Sequence, residues 1–338
     1  MKQADLYDVT IVGGGPAGLY SAFYSGLREM KTKLIEYQPN LGGKLHVYPE
    51  KMIWDVGGIA PISGADLIEQ LVKQALIFEP TVVLNEKIES ISKLEDGSFL
   101  LRASSGNVHH SKTVIIAVGS GILNPKKLEL EGAKRYEKTN LHYSIPSLNR
   151  FQGKTVLISG GGNAAIDWAN ELEPVAKKIY LTYRREHLTG HEAQVTKLRN
   201  RSITSLPRTT ITKLIPSRDQ NTIRSVELTD PLTGAITYID VDDVVICHGY
   251  EQDTSLLKNS EIKIELVDDF YIAGNAKSET SVKGIFAAGD ILHYDGKLHL
   301  IAGCFQDAAN AVNQAKQYID PSAEKCAVVS THHNAFAK

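Results

Sequence analysis

"DVTIVGGGPAG", Asp8 to Gly18, is the stretch on which the fold turns. The β-branched run Val9–Val12 passes directly into Gly13-x-Gly15-x-x-Gly18, and a helical stretch follows from Pro16 to about Arg28. Gly13 permits the tight turn, Gly15 lets the backbone approach a pyrophosphate, and Gly18 lets helix pack on strand. Pro16 and Ala17 complete that turn, and the free N–H groups at the helix start face the phosphates. "KTKLIEY", residues 31–37, then supplies a second strand, with Glu36 standing 23 positions after Gly13. A carboxylate there accepts hydrogen bonds from both hydroxyls of a ribose. Strand, glycines, helix, strand and acid in register predict a dinucleotide-binding fold.

The pattern recurs at "KTVLISGGGNAA", residues 154–165, as a strand followed by Gly160-x-Gly162-x-x-Ala165. Ala165 is an accepted third residue, because a methyl still allows close helix–strand approach. Asn163 and Ala164 lie in the turn where the next helix opens. "KKIYLTYRRE", residues 177–186, is the following strand, but 23 positions after Gly160 stands Tyr183 instead of an acid, with Arg184 and Arg185 next. A carboxylate would repel a 2′-phosphate, whereas guanidinium groups bind one with forked, charge-assisted bonds. The first site therefore suits an unphosphorylated adenosine ribose, as in FAD or NAD, and the second suits NADP.

Across 338 residues, 37 Lys and Arg stand against 39 Asp and Glu, for a net charge of −2. That balance gives no electrostatic footprint for nucleic acid or an acidic membrane. The opening "MKQADLYDVTIVGGG" lacks a secretory pattern and no apolar run is long enough to span a bilayer, so a cytoplasmic chain is expected. The three cysteines, Cys247, Cys304 and Cys326, are widely spaced and form no CxxC pair. They fit a reducing compartment.

A third motif, "TSVKGIFAAGDIL" at 280–292, ends a strand in Gly289-Asp290. With it the chain resembles the thioredoxin-reductase-like flavoproteins, which carry two dinucleotide domains. The resemblance implies an α/β fold of two Rossmann-like, three-layer ββα domains, with an NADP domain (118–249) inserted in an FAD domain split into 1–117 and 250–338. "TVIIAVGSG" (113–121) and "DDVVICHGYEQDT" (242–254) would be the two crossing points. The alternating segments 81–84, 88–94, 98–103 and 107–117 suit a small antiparallel crossover sheet.

Thioredoxin reductases proper use two cysteines in the NADP domain. The corresponding "TNLHYSIPSLNRFQGK", 139–154, has none, so thiol–disulfide exchange there is excluded. The segment resembles instead the ferredoxin/flavodoxin–NADP reductases of this type, as do "LGGKLHVYPEK", "DWANELEP" and "HLIAGCFQDAANAV". The resemblance implies a homodimeric flavoenzyme that moves electrons between NADPH and ferredoxin or flavodoxin, by hydride transfer to flavin and then one-electron steps. It also implies that Asp290 meets the ribityl chain and pyrophosphate and that Lys44 and Tyr48 flank the isoalloxazine. Ile88 and Leu123 would line the cofactor's surroundings, and Ser330 or Thr331 would close the flavin from the tail. Lys44 replaces the usual glutamine, Leu123 stands where an aromatic is common, and Thr189 stands where relatives often carry a third arginine. The same scaffold could instead reduce free flavin, a quinone or oxygen, or serve as a redox sensor without turnover. No catalytic acid, nucleophile or metal site is expected, since the cofactors carry the chemistry.

Overall fold

The computed structural model describes residues 5–121, 124–327 and 329–336. It divides into two compact units, one formed by residues 1–123 and 251–338 and the other by residues 124–250.

The first unit opens with β1 (Leu6–Val12), α1 (Pro16–Leu27) and β2 (Thr32–Ile35). A small hairpin, β3 (Met52–Ile53) and β4 (Ile62–Ser63), leads to α2 (Gly64–Ala75) and β5 (Thr81–Val83). Three further strands follow, β6 (Ile88–Lys93), β7 (Phe99–Ala103) and β8 (Val108–Ile116). The second unit holds α3 (Ala133–Tyr136), β9 (Leu141–His142), β10 (Thr155–Ser159), α4 (Asn163–Leu172) and β11 (Lys178–Tyr183). It continues with α5 (Glu192–Arg199), β12 (Ile203–Pro207), β13 (Thr210–Pro216), β14 (Ile223–Thr229), β15 (Ile236–Asp240) and β16 (Asp243–Ile246). The chain then returns to the first unit through α6 (Ser255–Asn259), β17 (Leu266–Val267), β18 (Tyr271–Ala273), β19 (Ile285–Ala287), β20 (Leu292–His293) and α7 (Ile301–Ile319).

In the first unit β5, β2, β1, β8 and β19 run parallel in that order. The start of β8 also pairs antiparallel with β7, and β7 with β6. This corrects one expectation: residues 81–83 are the parallel edge strand beside β2, not part of an antiparallel crossover sheet. The crossover strands are β6, β7 and the first half of β8, and they extend the main sheet. One face of that sheet packs Val9, Ile11 and Ile115 against Leu19 and Ala22 of α1, Leu67 and Leu71 of α2, and Ala308 and Val312 of α7. The other face packs Val114 and Ile116 against Leu256, Phe270, Ile272 and Leu292. A parallel sheet buried on both faces explains why its strands read as near-continuous β-branched runs.

The second unit repeats the plan with the parallel order β12-β11-β10-β16-β9. Leu157, Val244 and Ile246 meet Ile211, Val226, Leu228 and Ile239 of the antiparallel sheet β13-β14-β15. On the other side α4 buries Ala165, Ile166, Ala169 and Leu172. No described helix is long and apolar enough to cross a membrane.

Candidate nucleotide-binding sites

Each unit has one point where the chain runs outward from a central strand in both directions. β1 is flanked by β2 and β8, and β10 by β11 and β16. Such switch points open a crevice beyond the carboxyl ends of the strands, where ligands bind. The backbones at the two points match bond for bond. Gly13 N–H donates to Ile35 O at 2.8 Å, and Gly160 N–H to Thr182 O at 2.9 Å. Ala117 N–H donates to Val12 O at 2.8 Å, and Cys247 N–H to Ser159 O at 2.8 Å.

The glycines divide by cause. Gly13 has φ +110°, and a Cβ there would lie 2.4 Å from Ala117 O. Gly160 has φ +150°, and a Cβ would lie 2.6 Å from Cys247 O. Gly18 admits none either, since its Cβ would fall 1.8 Å from Gly13 O. Gly15 is different: a Cβ would meet nothing nearer than Gly43 Cα at 3.8 Å, and at Gly162 it would meet nothing within 4 Å. Those two face open space at the helix starts, where first-turn N–H groups lack helical partners. Pro16 sits in the first turn of α1, where its missing N–H costs nothing.

Glu36 is buried at the end of β2. Its carboxylate accepts the Gly14 N–H at 2.5 Å and the Gln38 N–H at 2.7 Å, which leaves lone pairs for a ribose. The loop above was missed as a structural part of the cradle, although its paired glycines were a signal. Gly42 N–H donates to Gly14 O at 2.8 Å, and a Cβ on Gly43 would lie 2.8 Å from Gly15 Cα. Lys44 follows in the 3₁₀ turn Gly43–Val47, exposed, and half-buried Tyr48 closes that turn. The Gly289–Asp290 turn comes to the same place: Gly289 has φ +79°, and a Cβ would lie 2.9 Å from that of Ala17. Helix α7 begins at Ile301, two residues before Gly303, and Cys304 in its first turn is buried. Burial raises the Cys304 thiol far above its ordinary range, with Asp290 and Asp307 adding to the effect.

In the second unit Asn163 and Ala164 open α4, and Asn163 Oδ1 accepts the His191 N–H at 2.9 Å. Tyr183 packs beneath Gly161, and Arg184 and Arg185 emerge exposed beyond β11. Neither arginine forms an ion pair with a described residue, whereas Arg208 pairs with Glu186 and Asp230. Thr189, at the place of a third arginine, ties its loop to the glycine turn, its N–H donating to Gly161 O at 2.8 Å. His248 was also missed. It leaves β16 with Nε2 2.9 Å from the Ser159 hydroxyl, and burial, then Arg184, keep it below the usual imidazole range.

Residues 7–315 match the family described as pyridine nucleotide-disulphide oxidoreductase. Ferredoxin–NADP reductase 1 of Bacillus mycoides is 63% identical over 338 residues, covering 100% of this chain and 97% of its own. Ferredoxin–NADP reductase 2 of Exiguobacterium sibiricum is 64% identical, covering 100% of this chain and 96% of its own. The chain belongs to the ferredoxin–NADP reductases. Among solved structures, the thioredoxin reductase of T. acidophilum superposes with TM-score 0.80 at 25% identity, over 94% of this chain and 99% of that one. Lactococcus lactis thioredoxin reductase gives TM-score 0.80 at 23% identity over 93% and 99%, which is a likeness of fold. The segment 139–154 of this chain holds His142, bonded through Nε2 to Asp243 at 2.7 Å, and no cysteine.

Four further residues were expected at the first site. Ile88 is a core side chain, 4% exposed. Leu123 lies outside the described residues. Ser330 and Thr331 lie in an exposed 3₁₀ turn, and the tail behind them docks on the far end of α1. There His333 and Phe336 meet Phe78 edge-on at 5.1 and 5.7 Å, and Phe78 covers Gly26 near the C-terminus of α1. Apolar ring packing thus seats His333 and Phe336 of the tail on Phe78.

Proposed function

We propose that the first unit holds FAD, the second holds NADP(H), and the chain passes electrons between NADPH and a ferredoxin. The observation that carries this reading is the matched pair of switch points with opposite charge at the deciding position. A buried carboxylate, Glu36, stands at one, and two exposed guanidiniums, Arg184 and Arg185, stand at the other. FAD, when bound, takes a hydride from NADPH and can release its electrons one at a time.

The chain's own residues bind and orient. Gly13, Gly15, Pro16, Ala17 and Gly18 offer backbone and open space to a pyrophosphate, Glu36 accepts from a ribose, and Asp290 accepts from ribityl hydroxyls. The first turn of α7 presents free N–H groups and the positive end of the helix to negative charge on the ring. Lys44 and Tyr48 lie on the adjoining turn, where they can flank that ring, with Ile88 behind in the core. In the second unit Gly160, Gly162, Asn163 and Ala164 receive the pyrophosphate, and Arg184 and Arg185 the 2′-phosphate. Neither Cys247 nor Cys304 serves as a nucleophile, because burial pushes the Cys247 thiol up to about 12 and raises that of Cys304 as well. The names of the relatives support ferredoxin as acceptor, flavodoxin extends that reading by shared chemistry, and the sequence resemblance supports a cytoplasmic homodimer.

The test is a visible spectrum of the purified protein, then anaerobic titration with NADPH and NADH before ferredoxin is offered. A yellow protein bleached by NADPH and reoxidised by ferredoxin is expected, and a protein that takes up no FAD would refute the reading. In R184A and R185A the KM for NADPH is expected to rise about tenfold each while that for NADH changes little, since a charged hydrogen bond contributes roughly 1.5–3 kcal/mol.

A further inference from the structure

Behind the Gly289–Asp290 turn lies a buried ion pair that no motif announced. The side chains of Lys297 and Asp307 are 2% and 1% exposed and bonded to each other through Lys297 Nζ and Asp307 Oδ2. The same Oδ2 accepts the Gly289 N–H at 3.0 Å, and Oδ1 accepts the Tyr294 hydroxyl at 3.0 Å. The main chain is held as well, the Ser278 hydroxyl donating to the carbonyl O of Asp307 at 2.8 Å. Asp307 thus joins α7, the 294–297 turn and the amide of a glycine at φ +79°.

Burying two charges costs several kcal/mol of hydration, and a well-packed apolar pair would do as well or better for stability alone. What the pair adds is geometry. The Gly289 amide is buried against Ala17 and has Asp307 as its acceptor, so the carboxylate sets where the next residue stands. That residue is Asp290, half-buried, whose carboxylate accepts no hydrogen bond from a described residue. Lys297 offsets the charge of Asp307, and among the described residues none forms an ion pair with Asp290.

We propose that Lys297 and Asp307 are a positioning pair that holds the Gly289 amide, and with it Asp290, in the geometry that receives FAD. The inference rests on the reading that the first unit binds FAD. It assigns the pair no contact with the cofactor and no part in electron transfer.

Three variants test it: Lys297→Met, Asp307→Asn, and the two together. Two readouts are used, hydrogen exchange of residues 286–292 in FAD-free protein and the Kd for FAD from flavin fluorescence. Each single variant strands one buried charge, so exchange of the turn accelerates and the Kd rises by about tenfold or more. The double variant removes both charges and keeps an amide oxygen for the Gly289 N–H, so its Kd returns to within about threefold of the parent, far from the sum of the singles. Single variants that melt earlier but keep parental exchange at the turn and parental Kd would reduce the pair to a structural role and overturn the proposal. So would a double variant as weak as the two singles combined. A parent protein that binds no FAD would instead defeat the flavin reading, while the exchange data still report whether the pair grips the turn.

Discussion

Gly13 and Gly15 occupy one motif but answer to different demands. At Gly13 both φ +110° and the 2.4 Å approach to Ala117 O forbid a side chain. Gly13→Ala is expected to destabilise the FAD-free protein by about 1–3 kcal/mol, read as a lower urea midpoint. At Gly15 an added methyl has room, 3.8 Å from Gly43 Cα, so Gly15→Ala is expected to leave that midpoint unchanged and weaken FAD uptake alone. Spacing marked these positions because a fixed turn makes sequence distance a surrogate for place in the fold, and the same is true of the positions of Glu36 and Arg184. Asp307 and Lys297 had no such surrogate. An acid within an amphipathic helix and a lysine in a loop read as solvated until folding buries them together. The seating of His333 and Phe336 on Phe78 had none either, since it is a contact that no spacing encodes.

At the scale of elements, β8 carries two kinds of pairing, antiparallel to β7 and then parallel to β1 and β19. Alternating segments announced the strands, but which neighbour each would choose depends on the assembled sheet, and so β5 was misassigned. Near its start β8 holds His109, whose Nδ1 lies 3.3 Å from Nζ of buried Lys33, with Glu86 Oε1 3.8 Å from Nε2. Burial, then the Lys33 charge, lowers the His109 pKa below 6.5, while Glu86 opposes the shift. Between the folded value and 6.5 the unfolded chain carries a proton that the folded chain lacks. The contribution to stability is therefore complete above pH 6.5 and is lost as pH falls through the folded value. Urea midpoints at pH 7.5 and 5.5 are expected to differ less in H109Q than in the parent, whose imidazolium would face an ammonium.

At the scale of the whole molecule, the first and last residues of the second unit lie side by side. Lys126 N–H donates to Gly249 O at 2.9 Å, and Pro125 bridges Tyr250. On the side of the first unit, a Cβ on Gly121 would lie 3.1 Å from the Asp253 nitrogen. Loop closure across such a short gap is inexpensive. A chain in which residues 124–250 give way to a short Gly/Ser linker is expected to remain folded and yellow while losing NADPH binding, checked by absorbance and calorimetry. An insert whose two ends lie side by side is also a tradable part. Lineages can swap, reshape or retune the guest for another coenzyme, and the host keeps every bond of its own sheet.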